Sequence, residues 1–517
     1  MSPSRGFELT GGLAALGISV ALFTRFGLGD TLKRDESIYV YAGQQLTHGV
    51  APYDGIFDPK PPLAGMLAGL AAWVGGLVGV GDLTAIRLAY FAFSCLTVLA
   101  VYVLCLWLWR PVVAALVGAI VFATFRGFAM DALAGPNAKT PGIAFGVMSM
   151  ALVVRQRWFS AALLGSVAFL VWQPLGIYAA VTVLSAALVP PAGERRRAIG
   201  QAVAGAAVPI AVLTAYLAIV GALGRMLDAA FVFPATGVKR GPETVVQRLD
   251  HIASVIRLGY LHTWQLFWLG TVLLLIVVTV HLVAGRGPNR ERLGSPLVAA
   301  VLVSMAALWA FSAKDFQGYP DLYPLLPYAA LGFAGATSLV VTHLSVPVLR
   351  TVATAGALAC VLALSLLSFG WLGQDKAADG GLAAQRDSAC ALNRLLGPGE
   401  SLVSLGDPTV FVLTHRRSPT RYIYLNSGVG GWEFARTKGG YLGWRRQLLA
   451  SQPSAIALHG WKSKAARRTA AWLHQVYDPA YLGGLRVYLA PGVRARAQRL
   501  GIRLDGQRLP RRPASRC

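Results

Sequence analysis

Apolar residues run in long blocks over most of the chain, with short polar stretches between them. Blocks of roughly 16 to 25 residues suit helices that cross a bilayer. The pattern predicts about eleven spans, near residues 9–28, 85–108, 112–127, 141–154, 159–172, 174–189, 200–222, 266–284, 296–311, 323–341 and 350–371. The first block lacks a small-x-small cleavage site and is read as an anchor rather than a removable signal. Trp172-Gln173-Pro174 interrupts one long block, because proline ends a helix. A further apolar stretch, 63–80, begins at Lys60-Pro61-Pro62 and is rich in Gly and Ala. If it crossed, every later basic cluster would change sides. It is therefore expected to lie in the outer leaflet or to re-enter it, which non-regular backbone does only against protein or a wet cavity.

From residue 374 the pattern changes. Ser401–Leu405, Tyr422–Leu425, Ala455–Leu458 and Leu485–Leu489 read as strands, Gly406-Asp407-Pro408 opens a short helix, and Ala465–Val476 reads as a longer one. Such alternation predicts a small α/β domain over 374–490. The Arg-rich stretch 491–517 is expected to be a disordered tail that touches anionic lipid or polymer, or simply aids solubility. No internal repeat is evident.

Charge fixes the expected orientation. The protein has 517 residues, of which 55% are hydrophobic and 14% charged, and a net charge of +24; its mean hydropathy is +0.55. The cations fall between apolar blocks, so they report topology before they report nucleic acid, and no nucleic-acid partner is expected. Arg110, Arg155, Arg157, Arg195–Arg197 and the cluster 286–292 should be cytoplasmic. That parity places 29–62, 128–140, 223–265, 312–322 and everything after 371 outside. Five cysteines form no CxxC pair; Cys95, Cys105 and Cys360 lie in apolar blocks, and Cys390 and Cys517 could pair outside the cell.

The first external loop, 29–62, carries Asp35, Glu36, Tyr53, Asp54, Asp58 and Lys60. Acids beside hydrocarbon tend to mark a site. Asp35 and Glu36 begin a stretch in which Ile38, Tyr39, Ala42 and Leu46 share one helical face. This predicts a helix on the outer surface, with both acids where the dipole favours them. Lys60, stiffened by prolines, offers a compact ammonium suited to a phosphate. A carboxylate base, a phosphate ligand and a membrane cavity describe a transferase that consumes a lipid phosphate.

These residues, together with Gly49, Pro52-Tyr53-Asp54 and Phe57-Asp58-Pro59-Lys60-Pro61-Pro62-Leu63, resemble the first exoplasmic loop of GT-C membrane glycosyltransferases. The likeness is to the protein mannosyltransferase and aminoarabinose transferase branch. It extends to Phe169–Pro174, similar to a Phe-Lys-Gln-Pro turn with Trp172 in place of Lys, and to Lys314–Pro327. The resemblance implies an α-helical polytopic membrane protein over 1–373, catalysing inverting transfer of a monosaccharide from a polyprenyl phosphate to an extracytoplasmic glycan, lipid or protein. It makes Asp35 the catalytic base and places Lys60 at the donor phosphate. Glu36, Tyr53 and Asp58 join them as substrate-binding candidates, with Arg126, Asn137, Gln173, Arg240, Lys314 and Tyr319 from later loops. A divalent metal is possible but not required: Pro59 stands where relatives often carry a metal-binding Glu, and cations can offset the charge of the leaving phosphate. Rival readings are a flippase, disfavoured because the charges gather in loops rather than spans, and a glycan polymerase or ligase, which the basic loop 223–265 leaves open.

Overall fold

A computed structural model describes residues 3–236, 244–284, 295–374, 381–461 and 463–505. Each of the expected spans falls on a helix: Pro3–Phe23, Asp82–Trp109, Val112–Thr124, Lys139–Val154, Trp158–Val171, Ile177–Leu188, Ala192–Ile219, Trp264–Ala284, Ser295–Lys314, Leu326–His343 and Pro347–Gln374. Among the described residues six helices have both the length and the apolarity to cross a membrane, or seven if one bent pair counts as a span. Shorter apolar helices supply the rest. The chain is a multi-pass membrane protein, and its backbone forms two compact units.

The first unit comprises 1–27, 88–215 and 242–376 and holds most of the spans. Its helices approach closely where side chains are smallest. Gly270 and Gly332 face backbone of the opposite helix with no room for a Cβ, and this is how apolar helices pack when hydrocarbon gives them no reason to associate. The Pro347–Gln374 helix leaves Leu358, Leu362 and Leu366 exposed, a face that lipid would cover. The helix Val112–Thr124 turns by 70° into Arg126–Ala134. Phe125 absorbs the turn in an extended conformation.

The second unit gathers 28–87, 216–241 and 377–517. Its sheet has the order β1-β2-β4-β3, with β1 (Leu402–Ser404), β2 (Ala455–Ala457), β3 (Asp478–Leu482) and β4 (Leu485–Leu489). β1 and β2 are parallel, and the other pairs are antiparallel. The helices Thr409–Thr414 and Lys464–Val476 follow β1 and β2 as expected.

Two expectations about this unit need correction. Residues 422–425 are not a strand. Their ladder is not made: Leu425 donates to the Leu405 carbonyl at 3.1 Å, while the adjoining Arg421 carbonyl accepts from Phe57 at 2.7 Å. β3 was missed because it opens on Asp-Pro, which reads as a break; Pro479 is tolerated because β3 is the edge strand. The basic stretch after Pro491 is helical over Pro491–Arg499, and Arg496 forks onto Glu400 at 2.7 and 2.9 Å. Cys390 is disulfide-bonded; Cys517 lies outside the described residues.

Candidate active site

The helix Arg34–Thr47 carries the expected base. It is not the surface helix that its sequence predicts: residues 36–45 are all buried. Segments far along the chain account for this. Ser37 Oγ lies 2.6 Å from Thr409 Oγ1, Tyr41 Oη accepts the Ser418 amide at 2.9 Å, and Gln44 donates to the Val412 carbonyl at 3.2 Å. On another face Gly43 meets the backbone of Ala68 and Gly69, in the helix Leu63–Leu77, at 2.9–3.0 Å from where a Cβ would sit. This second helix is the segment expected at the outer leaflet, and its Leu70, Trp73, Val74 and Leu77 are exposed.

At the head of the buried helix the two acids part company. Glu36 is 4% exposed and caps the helix, accepting the Lys33 amide at 3.1 Å. Asp35 remains 67% exposed, with Arg34 Nε at 2.9 Å. One acid is structural in its contacts and the other is presented.

The chain around Lys60 is tightly held. Tyr53 adopts a positive φ of 64°, and its hydroxyl donates to the Lys60 carbonyl at 2.6 Å. Asp58 Oδ1 accepts the Lys60 amide at 3.1 Å. Lys60 Nζ donates to Tyr39 Oη at 2.6 Å, fixing the ammonium beside the Asp35 helix. Burial pushes the Asp58 carboxyl up to about 6; Lys60 pulls it down, and nearby Asp35 adds like-charge repulsion. The buried Tyr424 hydroxyl is pushed well above its usual value by burial and by both carboxylates. Tyr424 therefore lies within electrostatic reach of Asp35 and Asp58. The sequence offered 422–425 as a strand and gave no sign that Tyr424 lies near the acids.

The remaining candidates with described positions lie in the membrane unit. Asp131, 5% exposed, accepts from Tyr323 at 2.8 Å, Tyr319 at 3.2 Å and Asn137 at 3.3 Å. Lys139 pairs with Asp321 at 2.6 Å and lies 4.9 Å from the Trp172 ring centroid. The Arg126 guanidinium donates to the Gly259 carbonyl at 3.2 Å, and Gln173 opens a 3-10 turn after Trp172. Lys314 ends its helix, exposed. Tyr319 and Asn137 thus join one buried carboxylate network whose other members, Tyr323 and Asp321, sequence reasoning passed over. The signal available was Asp321 and Tyr323 among prolines in an apolar run. Arg240 lies outside the described residues.

A metal finds a poor donor set here. No group of three His, Cys, Asp or Glu side chains converges among the described residues. Asp58 already accepts an amide beside the Lys60 ammonium.

A helical membrane body, an acidic first-loop helix and a small terminal sheet together define a polytopic membrane protein of GT-C fold. Among solved structures it is similar to ArnT from Cupriavidus metallidurans in the apo state, with 14% identity, a TM-score of 0.61 and coverage of 94% of this chain and 98% of that one. The same protein bound to undecaprenyl phosphate matches with TM-score 0.61 at 14% identity, over 93% and 98% of the two chains. The Archaeoglobus fulgidus oligosaccharyltransferase in its apo form is also similar, at 14% identity and TM-score 0.54, covering 92% of this chain and 73% of that one. No family model and no curated protein matches the sequence. At this identity the likeness establishes the fold.

Proposed function

We propose that the protein is an inverting glycosyltransferase that moves a monosaccharide from a polyprenyl phosphate to an acceptor hydroxyl on the extracytoplasmic side. The observation that carries the reading is the pairing, in one buried framework, of a presented carboxylate with an ammonium held by a tyrosine. Asp35 takes the acceptor proton as the oxygen attacks the anomeric carbon. The carbon–oxygen bond to phosphate breaks on the opposite face, and Lys60 offsets the charge that develops on the departing phosphate. Asp35 needs no raised pKa for this if proton transfer accompanies bond breaking. The fold supports the same reading, since one structure sharing it holds undecaprenyl phosphate.

The test uses purified full-length protein and a panel of synthetic polyprenyl-phosphate sugars, with release of polyprenyl phosphate as readout. At least one donor should turn over in the wild type. Asp35→Asn should abolish release while retaining the thermal melt and donor binding; turnover near the wild-type rate in that variant would remove Asp35 as base.

A further inference from the structure

Beside the acidic helix, the second unit contains a cavity that the transfer chemistry above leaves unused. Its volume is about 220 Å³, and its walls include Ser388, Asp407, Thr409, Val410, His459 and Leu485. Asp407 follows β1 and His459 follows β2, so both lie beyond the carboxyl ends of the parallel strand pair. Ligands of α/β sheets bind at that edge, where loops diverge from a rigid base.

The two loops are locked together. Asn426 Nδ2 donates to the Gly406 carbonyl at 3.1 Å and to the Gly460 carbonyl at 3.2 Å. Gly406 packs against the His459 carbonyl with no space for a side chain, and Gly460 has a φ of +78°. This backbone contact sets Asp407 and His459 on one rim.

The chemistry of the rim selects its occupant. Asp407 Oδ1 accepts the Thr409 amide at 2.9 Å and the Thr409 hydroxyl at 2.5 Å. No donor to Oδ2 is found among the described residues. Burial pushes this carboxyl upward, while the Thr409 donors, His459 and Arg34 draw it down. With the Arg34 guanidinium already acting on this carboxyl, a further cation gains little, whereas a neutral hydroxyl donor meets an unclaimed carboxylate oxygen. Val410, Leu413 and Leu485 supply an apolar wall for C–H groups. The volume is below the roughly 300–1,000 Å³ of sites for drug-sized ligands, which leaves room for one sugar ring.

We infer that this cavity binds a sugar ring of the acceptor glycan, with Asp407 and His459 as its polar contacts. The assignment to the acceptor rests on the glycosyltransferase reading; the presence of a sugar site does not. Thr409 Oγ1, which closes one wall, also meets Ser37 on the Asp35 helix, so the site is built onto the element that carries the base.

The test has two arms on full-length protein. In the first, a panel of methyl glycosides of hexoses and pentoses is titrated by saturation-transfer NMR. At least one should bind, and His459→Ala and Asp407→Asn should each weaken it tenfold or more. His459 is exposed, and Asn at 407 keeps an acceptor for Thr409, so both variants should keep the wild-type melt. In the second arm, the same variants should raise the acceptor KM tenfold or more and leave the donor KM unchanged. Absence of glycoside binding, or binding that both variants retain, overturns the site. Glycoside binding lost in both variants, with acceptor KM unmoved, overturns the acceptor assignment. If the wild type uses no polyprenyl-phosphate donor, the glycosyltransferase reading fails, and the first arm still decides the cavity.

Discussion

Lys60 and Asp58 show how much one residue's neighbours decide. Lys60 stood out in the sequence as a candidate phosphate ligand, but its anchor did not, because Tyr39 read only as part of an apolar face. The donated hydrogen bond to Tyr39 holds the ammonium against the Asp35 helix. Lys60→Ala should raise the donor KM about 10- to 100-fold, the worth of a charge-assisted hydrogen bond of about 1.5–3 kcal/mol. Tyr39→Phe should raise it by less, because the charge stays and only its position loosens; initial-rate kinetics at fixed acceptor would separate the two. Asp58 gives a pH signature. Its folded carboxyl titrates at about 6, against 3.8 for the free group, because burial favours the neutral form. A raised folded pKa means that its contribution to stability is present below about 3.8 and is lost as pH rises to about 6. That gap is worth about 3 kcal/mol at most. The melting temperature should therefore fall across that window, and Asp58→Asn should flatten the fall and raise the melt at pH 7.5. An unchanged slope would refute the burial argument.

At the scale of elements, the apolar blocks were legible because bilayer length leaves a strong signature. The small strands were less so. Tyr422–Leu425 has strand composition, yet no sheet edge receives it, and β3 hides behind a proline that an edge strand accepts. The Arg34–Thr47 helix was found with its start nearly right and its environment wrong. Periodicity reports one apolar face, and it cannot see Ser37 or Gln44 being satisfied by partners hundreds of residues later. The candidate site followed the same division: the acids and Lys60 were visible as a motif, whereas Tyr424 and the Asp131–Tyr323 pair depend on contacts that only folding makes. The helix also depends on close packing against Leu63–Leu77. Gly43→Leu would place its side chain on Ala68 backbone, which cannot yield as a flexible side chain can. Overpacking of this kind should destabilise by about 1–3 kcal/mol and lower turnover through displacement of Asp35. A fluorescence melt with a turnover assay checks both. A wild-type melt would show that the helices have slack.

For the molecule as a whole, sequence charge gives an orientation that chemical labelling can check. In a Cys360→Ser background, Thr47→Cys should react with a membrane-impermeant maleimide on intact cells, because Thr47 is exposed on the first loop. Glu194→Cys, exposed in a stretch with Arg195–Arg197, should react only after permeabilisation. The reverse pattern would move the site to the cytoplasm and exclude the polyprenyl-phosphate reading on the outer face. The two compact units were harder to foresee than the spans, since each is assembled from three separated pieces of chain.

That interleaving has a consequence for how the protein is born. The Asp35 helix emerges from the ribosome early, yet the partner of its Ser37 lies 372 residues further on. At about 5–20 residues per second, the helix waits roughly twenty seconds to over a minute for the groups that complete its burial. During that interval the polypeptide can be threaded into the membrane while the surroundings of Asp35 are still incomplete. If the proposed transferase reading holds, a nascent molecule stalled short of Thr409 should be inserted but inert.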